Sequence, residues 1–291
     1  MTLTQVSGVG RVTEGVSVPP TDDPKDYGFT IGQVSGSGAV EIGTDGSTPD
    51  TWWYRIETGT LQRFLQMVSV LSDEVQLNFT DTGIFAKVVD ASHVSILVVA
   101  TPGCAPHETA TVVKIGIEVK DLTRCIDKDE DHITLVCGKD QSHLHVQNDN
   151  CVTKLRGLNN LPPLPRVPEF GTMDAFATVS CAALTKGVRR MNDMAELAVL
   201  KSDGDKVSFV TETDYNERIY TLPAESVGGE AATKYSLYYL KPFCAALPRT
   251  KRDQFDVRME WGDSKPLLIN NNEGDTIDWT WMLAPRNEGD V

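Results

Sequence analysis

The sequence lacks the run of about 18 consecutive apolar residues that a membrane-spanning helix requires, and its first residues show no basic segment followed by an apolar stretch. Neither a membrane span nor a secretory leader is therefore expected. Cysteine is sparse. Cys104, Cys125, Cys137, Cys151, Cys181 and Cys244 are scattered, with no CxxC pair and no zinc spacing, so they read as free thiols of a reducing compartment. Also missing are a Gly-x-Ser-x-Gly turn, a phosphate loop and a His-Glu-x-x-His helix, and Gly36-x-Gly38 has no third glycine behind it. His143 and His145 alternate on one strand face with His132 near, but no Cys, Asp or Glu completes a ligand set. No metal, cofactor or catalytic residue is expected, and Asn78-Phe79-Thr80, a glycosylation pattern, falls in a strand expected to be buried.

Positive charge is in the minority as well. The 27 Lys and Arg face 41 Asp and Glu, a net charge of −14, which taken as an average opposes contact with nucleic acid. Residues 1–50 are poor in large apolar side chains and rich in Gly, Ser, Thr and Pro, so they read as a flexible extension.

From Trp52 onward there is enough apolar residue for a core. Trp52–Glu57 reads as a strand, and Thr58–Leu71 sets Leu61, Phe64, Leu65, Val68 and Leu71 on one helical face. Strands follow at 74–79, 84–89, 94–100 and 111–117, with a hairpin signal at Asp81-Thr82-Gly83. A helix at 119–128 and strands at 132–137 and 142–148 complete a first domain, 51–150. Residues 151–169 hold four prolines and neither periodicity, so they form an extended linker. The second domain, 170–287, repeats the first, with residues 288–291 as a tail. Its strands fall at 175–179, 196–201, 206–211 and 215–222, its helices at 180–192 and 239–247, and Pro242 is placed in the first turn of the last helix. Ile133, Leu135, Cys137 and Gly138 stand 124 positions before Val257, Met259, Trp261 and Gly262.

Charge follows this organisation. The helical windows 58–71, 119–128, 180–192 and 239–252 contain eleven basic residues and two acidic ones, so the net charge of the remainder is −23. Arg63, Lys120, Arg124, Lys128, Lys186, Arg189, Arg190 and Lys241 are the candidates for phosphate contact, together with Arg249, Lys251 and Arg252. Lys120, Arg124 and Lys128 recur at i, i+4 and i+8, one stripe opposite the apolar face. No aromatic or amide side chain is interleaved with these stripes to read base edges, so double-stranded DNA would be held without sequence preference. Ordinary solvated helix faces are the bland alternative, and the agreement of four helices on an acidic body weighs against it.

Val89-Asp90-Ala91-Ser92-His93-Val94-Ser95, Tyr235-Ser236-Leu237-Tyr238-Tyr239-Leu240-Lys241 and Met282-Leu283-Ala284-Pro285-Arg286 resemble the DNA sliding clamps of the proliferating cell nuclear antigen (PCNA) family, over about 52–287. The tail and Val68–Glu74 are similar to the archaeal members. The resemblance implies an α+β fold of two similar clamp domains in a ring-shaped homotrimer, antiparallel sheets outside and two helices per domain lining a central hole. It implies a processivity factor of DNA polymerase, not an enzyme. Polymerase, clamp loader, flap endonuclease and ligase clients would dock short hydrophobic motifs in a pocket at Val89, His93, Val94, Leu155, Leu158, Pro266, Met282, Ala284 and Pro285. The location would be cytoplasmic and nucleoid-associated in an archaeon or virus, nuclear in a eukaryote. Competing readings are a clamp-like subunit acting as a monomer or hetero-trimer, and an uncharacterised hydrolase. Three features depart from the family: the 50-residue extension, a first helix with Arg63 alone, and a proline-rich linker.

Overall fold

The computed structural model describes residues 51–80, 82–102, 104, 113–138, 140–149, 151–159, 161–168, 171–213, 215–248, 255–271 and 276–286, and before them three strands. These are β1 (Arg11–Val16), β2 (Ile31–Ser35) and β3 (Ala39–Val40). The first half then runs β4 (Thr51–Glu57), α1 (Thr58–Val68), β5 (Glu74–Phe79), β6 (Ile84–Val89), β7 (Ser95–Ala100), β8 (Val113–Glu118), α2 (Val119–Arg124), β9 (His132–Gly138), β10 (His143–Gln147) and β11 (Val152–Arg156). The second half repeats that order: β12 (Ala175–Ser180), α3 (Cys181–Asn192), β13 (Leu197–Asp203), β14 (Val207–Glu212), β15 (Glu217–Leu222), β16 (Ala224–Ser236), α4 (Leu237–Ala246), β17 (Asp256–Trp261), β18 (Leu267–Asn271) and β19 (Asp278–Leu283). No helix among the described residues is long and apolar enough to cross a membrane.

The pairings repeat too. β4 lies antiparallel to β9 as β12 does to β17, β5 pairs with β6 and β8 as β13 does with β14 and β16, and β9–β10–β11 corresponds to β17–β18–β19. The two halves meet where β19 pairs with β7, which makes one twelve-stranded sheet in the order β15-β14-β13-β16-β12-β17-β18-β19-β7-β6-β5-β8. A five-stranded sheet, β11-β10-β9-β4-β3, completes the first half.

Alternation sets the inner face of these sheets. Leu77, Ala86, Leu97, Val99 and Ile115 are buried there beneath α1, which contributes Leu61, Phe64, Leu65 and Val68. In the second half Phe243 of α4 stacks on Trp281 with ring centroids 4.3 Å apart and meets Trp279 edge-on at 5.5 Å. The 124-residue offset holds in space: Ile133, Leu135 and Cys137 on β9 and Val257, Met259 and Trp261 on β17 are all fully buried. The cysteines are free thiols, and burial pushes Cys137 up to about 12 and Cys244 higher still, which leaves both inert near neutral pH.

Four expectations need correction. The stretch 1–50, read as flexible, contributes three short strands, with Ala39 and Val40 opposite Trp53 and Trp52 of β4. Backbone pairing of this kind needs no apolar content, the property on which the reading rested. The expected linker begins later, because Val152–Arg156 is a strand paired with β10. Pro242 sits in the second turn of α4, which begins at Leu237, so its ring replaces the N–H that would reach the Tyr238 carbonyl. The thirteen-residue β16 was not foreseen. It pairs with β12 through Gly229 and with β13 from Glu230 onward.

Gly229 makes that change of partner. Its φ is +73°, and a Cβ there would lie 1.9 Å from the Asp174 carbonyl oxygen, a backbone atom that cannot swing away. Gly229→Ala should therefore lose about 2 kcal/mol or more, a fall of several degrees in Tm. Gly171→Ala, where nothing lies within 4 Å, is the neutral control. Equal melting temperatures for the two variants in a thermal scan would refute this account of β16.

Candidate functional site

Two surfaces assemble from the candidate residues, one basic and helical, one apolar and on the outer sheet face. The basic surface is best formed on α3. Ser180 caps this helix by accepting the Ala183 N–H at 3.2 Å, and Cys181, Leu184, Val188 and Met191 bury its inner face. Gly187 brings it close to the sheet, since a Cβ there would lie 2.8 Å from Leu222 Cδ2. Lys186, Arg189 and Arg190 are left exposed on the opposite side. Arg189 and Arg190 also complement the helix dipole, being in its last turn. Arg218 on β15 donates to the Arg190 carbonyl at 2.8 Å and adds a cation that counting helices alone could not find.

The other helices fit the expectation less well. Lys120 and Arg124 are exposed on α2, where Arg124 shares an ion pair of 3.2 Å with Asp121. Lys128 lies past the end of α2, in a turn, so the expected three-residue stripe is one turn shorter. Lys241 is exposed on α4, while Arg249, Lys251 and Arg252 fall outside the described residues.

Arg63 faces the other way. It is 9 % exposed, its guanidinium donates to the Ala246 carbonyl at the end of α4, and it lies 6.0 Å from the Phe255 ring centroid. The cation of α1 thus satisfies a carbonyl of the other half's last helix, which the i+4 ladder leaves without a donor. It presents no charge to a ligand.

On the outer face, register places one residue from each of four adjacent strands in a row: Leu268 of β18 opposite Met282 of β19, Met282 opposite Ile96 of β7, and Ile96 opposite Val89 of β6. Met282 is buried and the other three are half-buried. The β6–β7 turn closes one end of this row. Asp90 organises it, its carboxylate accepting from Ser92, Val94 and Ser95 N–H at 2.9, 2.7 and 2.6 Å and from the Tyr239 hydroxyl at 3.2 Å. His93 holds φ +57° at the apex and is exposed. The tail is stitched to the same turn, because Ala284 N–H donates to Val94 O at 2.9 Å and Ser95 Oγ to Met282 O at 3.0 Å. Val89, His93, Val94, Met282, Ala284 and Pro285 are thereby brought together, and Pro266 directly precedes β18.

Leu155 and Leu158 are not part of this group. Leu155 belongs to β11, and Leu158 bridges Gly116 on β8 at the far side of the sheet, where both line a small cavity beside α2. The linker residue that reaches the outer face nearby is Leu164, packed on Phe85, Ala100 and Cys104. Ala100 is four residues along β7 from Ile96, about 13 Å at the rise of a strand. Linker and tail thus bound a groove floored by Ile96, Val98 and Met282. Leu164, Ile96 and Leu268 were missed; the alternating β7 pattern could have pointed to Ile96, whereas Leu164 required the linker's path.

No family model matches the sequence. A DNA polymerase sliding clamp of Cenarchaeum symbiosum is 24 % identical over 240 residues, covering 78 % of this chain and 94 % of the relative. Archaeoglobus fulgidus PCNA, solved with the C-terminal region of FEN-1 bound, matches 81 % of this chain and 98 % of its own at 19 % identity, with a TM-score of 0.69. PCNA of Thermococcus kodakaraensis gives 0.68 at 18 % identity over 80 % and 99 % of the two chains. Over about four fifths of its length the chain is similar to archaeal DNA polymerase sliding clamps, and it has the fold of PCNA. The chain shares that fold's division into two similar halves, with Arg63 turned to their junction. Replacing it by methionine should cost about 1–3 kcal/mol in urea denaturation, because the Ala246 carbonyl loses its donor. Affinity for duplex DNA should be unchanged, and a marked fall at unaltered stability would return Arg63 to the DNA surface.

Proposed function

We propose that three copies of this clamp close head to tail around duplex DNA, hold it by its phosphates, and tether polymerase, clamp loader, flap endonuclease and ligase through short hydrophobic motifs. Its work on this reading is binding and not turnover. The observation that carries it is the equivalence of two pairs of strands. Within the chain β7 pairs with β19. By their place in the repeat β15 is the counterpart of β7, and β11 the counterpart of β19. β15 and β11 are also sheet edges. A second copy that repeated the seam would join its β11 to the first copy's β15, a heterologous contact that continues until a ring closes. The strand at 142–148 is not such an edge, because β11 covers β10. Exposed Ile219 on β15 and half-buried Leu155 on β11 supply apolar contact, and Lys154 and Arg156 can face Glu217. Light scattering of the chain alone should give three chain masses, whereas a monomer at micromolar concentration across salt would remove the ring.

DNA contact should be weak and blind to sequence, since it involves phosphates only. Reversal of Lys186, Arg189 and Arg190 to Glu should abolish loading and polymerase stimulation and leave the trimer intact. A trimeric variant with full activity would place DNA elsewhere.

The tethering reading is supported by the outer-face groove and by the FEN-1 region bound to the Archaeoglobus relative. Met282 is 7 % exposed and paired on both sides, so a charge there would disturb the sheet as well as the groove. Ala284, half-exposed beyond the end of β19, gives a cleaner test. Ala284→Asp should lower affinity for a Gln-x-x-Leu-x-x-Phe-Phe peptide more than tenfold in titration calorimetry, since an apolar anchor is worth roughly 1.5–3 kcal/mol and a carboxylate beside it must be desolvated. Unchanged affinity would move the client site off this groove.

A further inference from the structure

Four large apolar side chains are exposed among the described residues: Leu197, Tyr215, Ile219 and Tyr238. Ile219 lies on the β15 edge assigned to ring closure, and Tyr215 on the loop that leads into it. Leu197 and Tyr238, 39 % and 74 % exposed, instead line one open cleft of about 1780 Å³. The cleft lies between the end of α1, the loop from α3 to β13, and the first turns of α4. None of its lining residues belongs to β11 or β15, the strands assigned to ring closure.

The cleft touches both surfaces already described. Asp90 and Arg286 are shared with the turn and tail that bound the client groove, and Lys241 belongs to the basic surface of α4. Its walls differ in charge. Lys234 and Arg286, linked by the Arg286 N–H to the Lys234 carbonyl at 2.8 Å, form one side, and Asp193 and Glu196 on the α3–β13 loop form the other. None of these four makes an ion pair with another described residue. Pro242 and Tyr238, on the first two turns of α4, both line the cleft. An apolar floor between separated charges, open along its length and continuous with the groove, suits an extended polypeptide better than a small molecule or a helix.

We propose that this cleft continues the client groove and holds the segment that precedes the hydrophobic motif of a docked client, with one apolar side chain set against Tyr238 and Leu197. The proposal rests on the client-groove reading. In the Archaeoglobus complex the docked piece is a C-terminal region, so the chain leading back to that client's body lies on its N-terminal side, the side the proposal sets over the cleft. Such a segment would run from the groove toward Lys241 and the DNA-facing helices, and would set the client's body over the bore.

The test compares a Gln-x-x-Leu-x-x-Phe-Phe peptide with three versions extended by eight N-terminal residues, each carrying a single leucine at a different distance from the glutamine. Calorimetry on the full chain should show at least one extended peptide binding about tenfold tighter than the bare motif. Tyr238→Ala and Leu197→Ser should erase that gain while the bare motif binds both variants as it binds the parent. If no extension tightens binding while the motif binds normally, the cleft is not part of the client site. Retention of the gain in both variants also overturns the proposal, since the extra contact then lies elsewhere. Failure of every peptide to bind the parent overturns the groove reading and this proposal together.

Discussion

The antiparallel seam between β7 and β19 is the interaction on which the rest of the molecule depends. It pairs six residues, from Asp278 with Ala100 to Leu283 with Ser95, and makes one sheet of two halves. Because strand register is fixed by the faces it buries, Leu97, Val99, Trp279, Trp281 and Leu283 turn inward together. Ile96 and Met282 are then obliged to turn outward, and the outer-face groove has its floor. Further contacts between the halves flank this seam, among them Arg63 with the Ala246 carbonyl and Asp90 with Tyr239. A slip of one residue would invert both faces at once, so core and groove are specified by the same register.

Electrostatics is layered on this frame. An acidic chain can approach DNA only where its cations are gathered, and α3 gathers them on a rigid element whose buried face is locked by Gly187 against Leu222. Arg218 extends that patch from the sheet. On α1 the cation serves the junction instead. The two halves therefore share a fold and divide the work, the second half with more of the exposed charge and the first half with more of the groove.

The repeat was legible because it is written in local pattern. Period-two alternation located β5, β6 and β7, the 3.6-residue stripe located α1 and α3, and the 124-residue offset between Ile133 and Val257 survived as two equivalent buried strands. What escaped depends on contacts distant in sequence. β16 changes partners at Gly229 because the Asp174 carbonyl lies against it, 55 residues earlier in the chain. The burial of Arg63 is decided by Ala246, 183 positions away. Leu155 and Leu158 looked like groove residues because they lie in the linker region, but the hydrogen bond from Leu158 N–H to the Gly116 carbonyl holds that part on β8 and leaves Leu164 to approach the groove. Periodicity reports which face a side chain takes, and it is silent on which neighbour that face will meet.

By the same repeat a ring would contain two kinds of strand junction, one within the chain and one between chains. The seam within the chain is backed by Trp279, Trp281 and Leu283, with Phe243 stacked beneath, and every one of these is buried. The equivalent edges are unpaired in a single chain, where β15 alternates exposed and half-exposed residues before Leu222 and β11 buries none of its five. Pairing there would rest on backbone hydrogen bonds, Ile219, Leu155 and charges that salt screens. A ring that must be threaded by a long duplex has to open somewhere without unfolding. In such a ring the apolar backing and covalent continuity of the intrachain seam would direct the opening to the junction between chains, where separation would disturb neither the groove nor the basic face of α3.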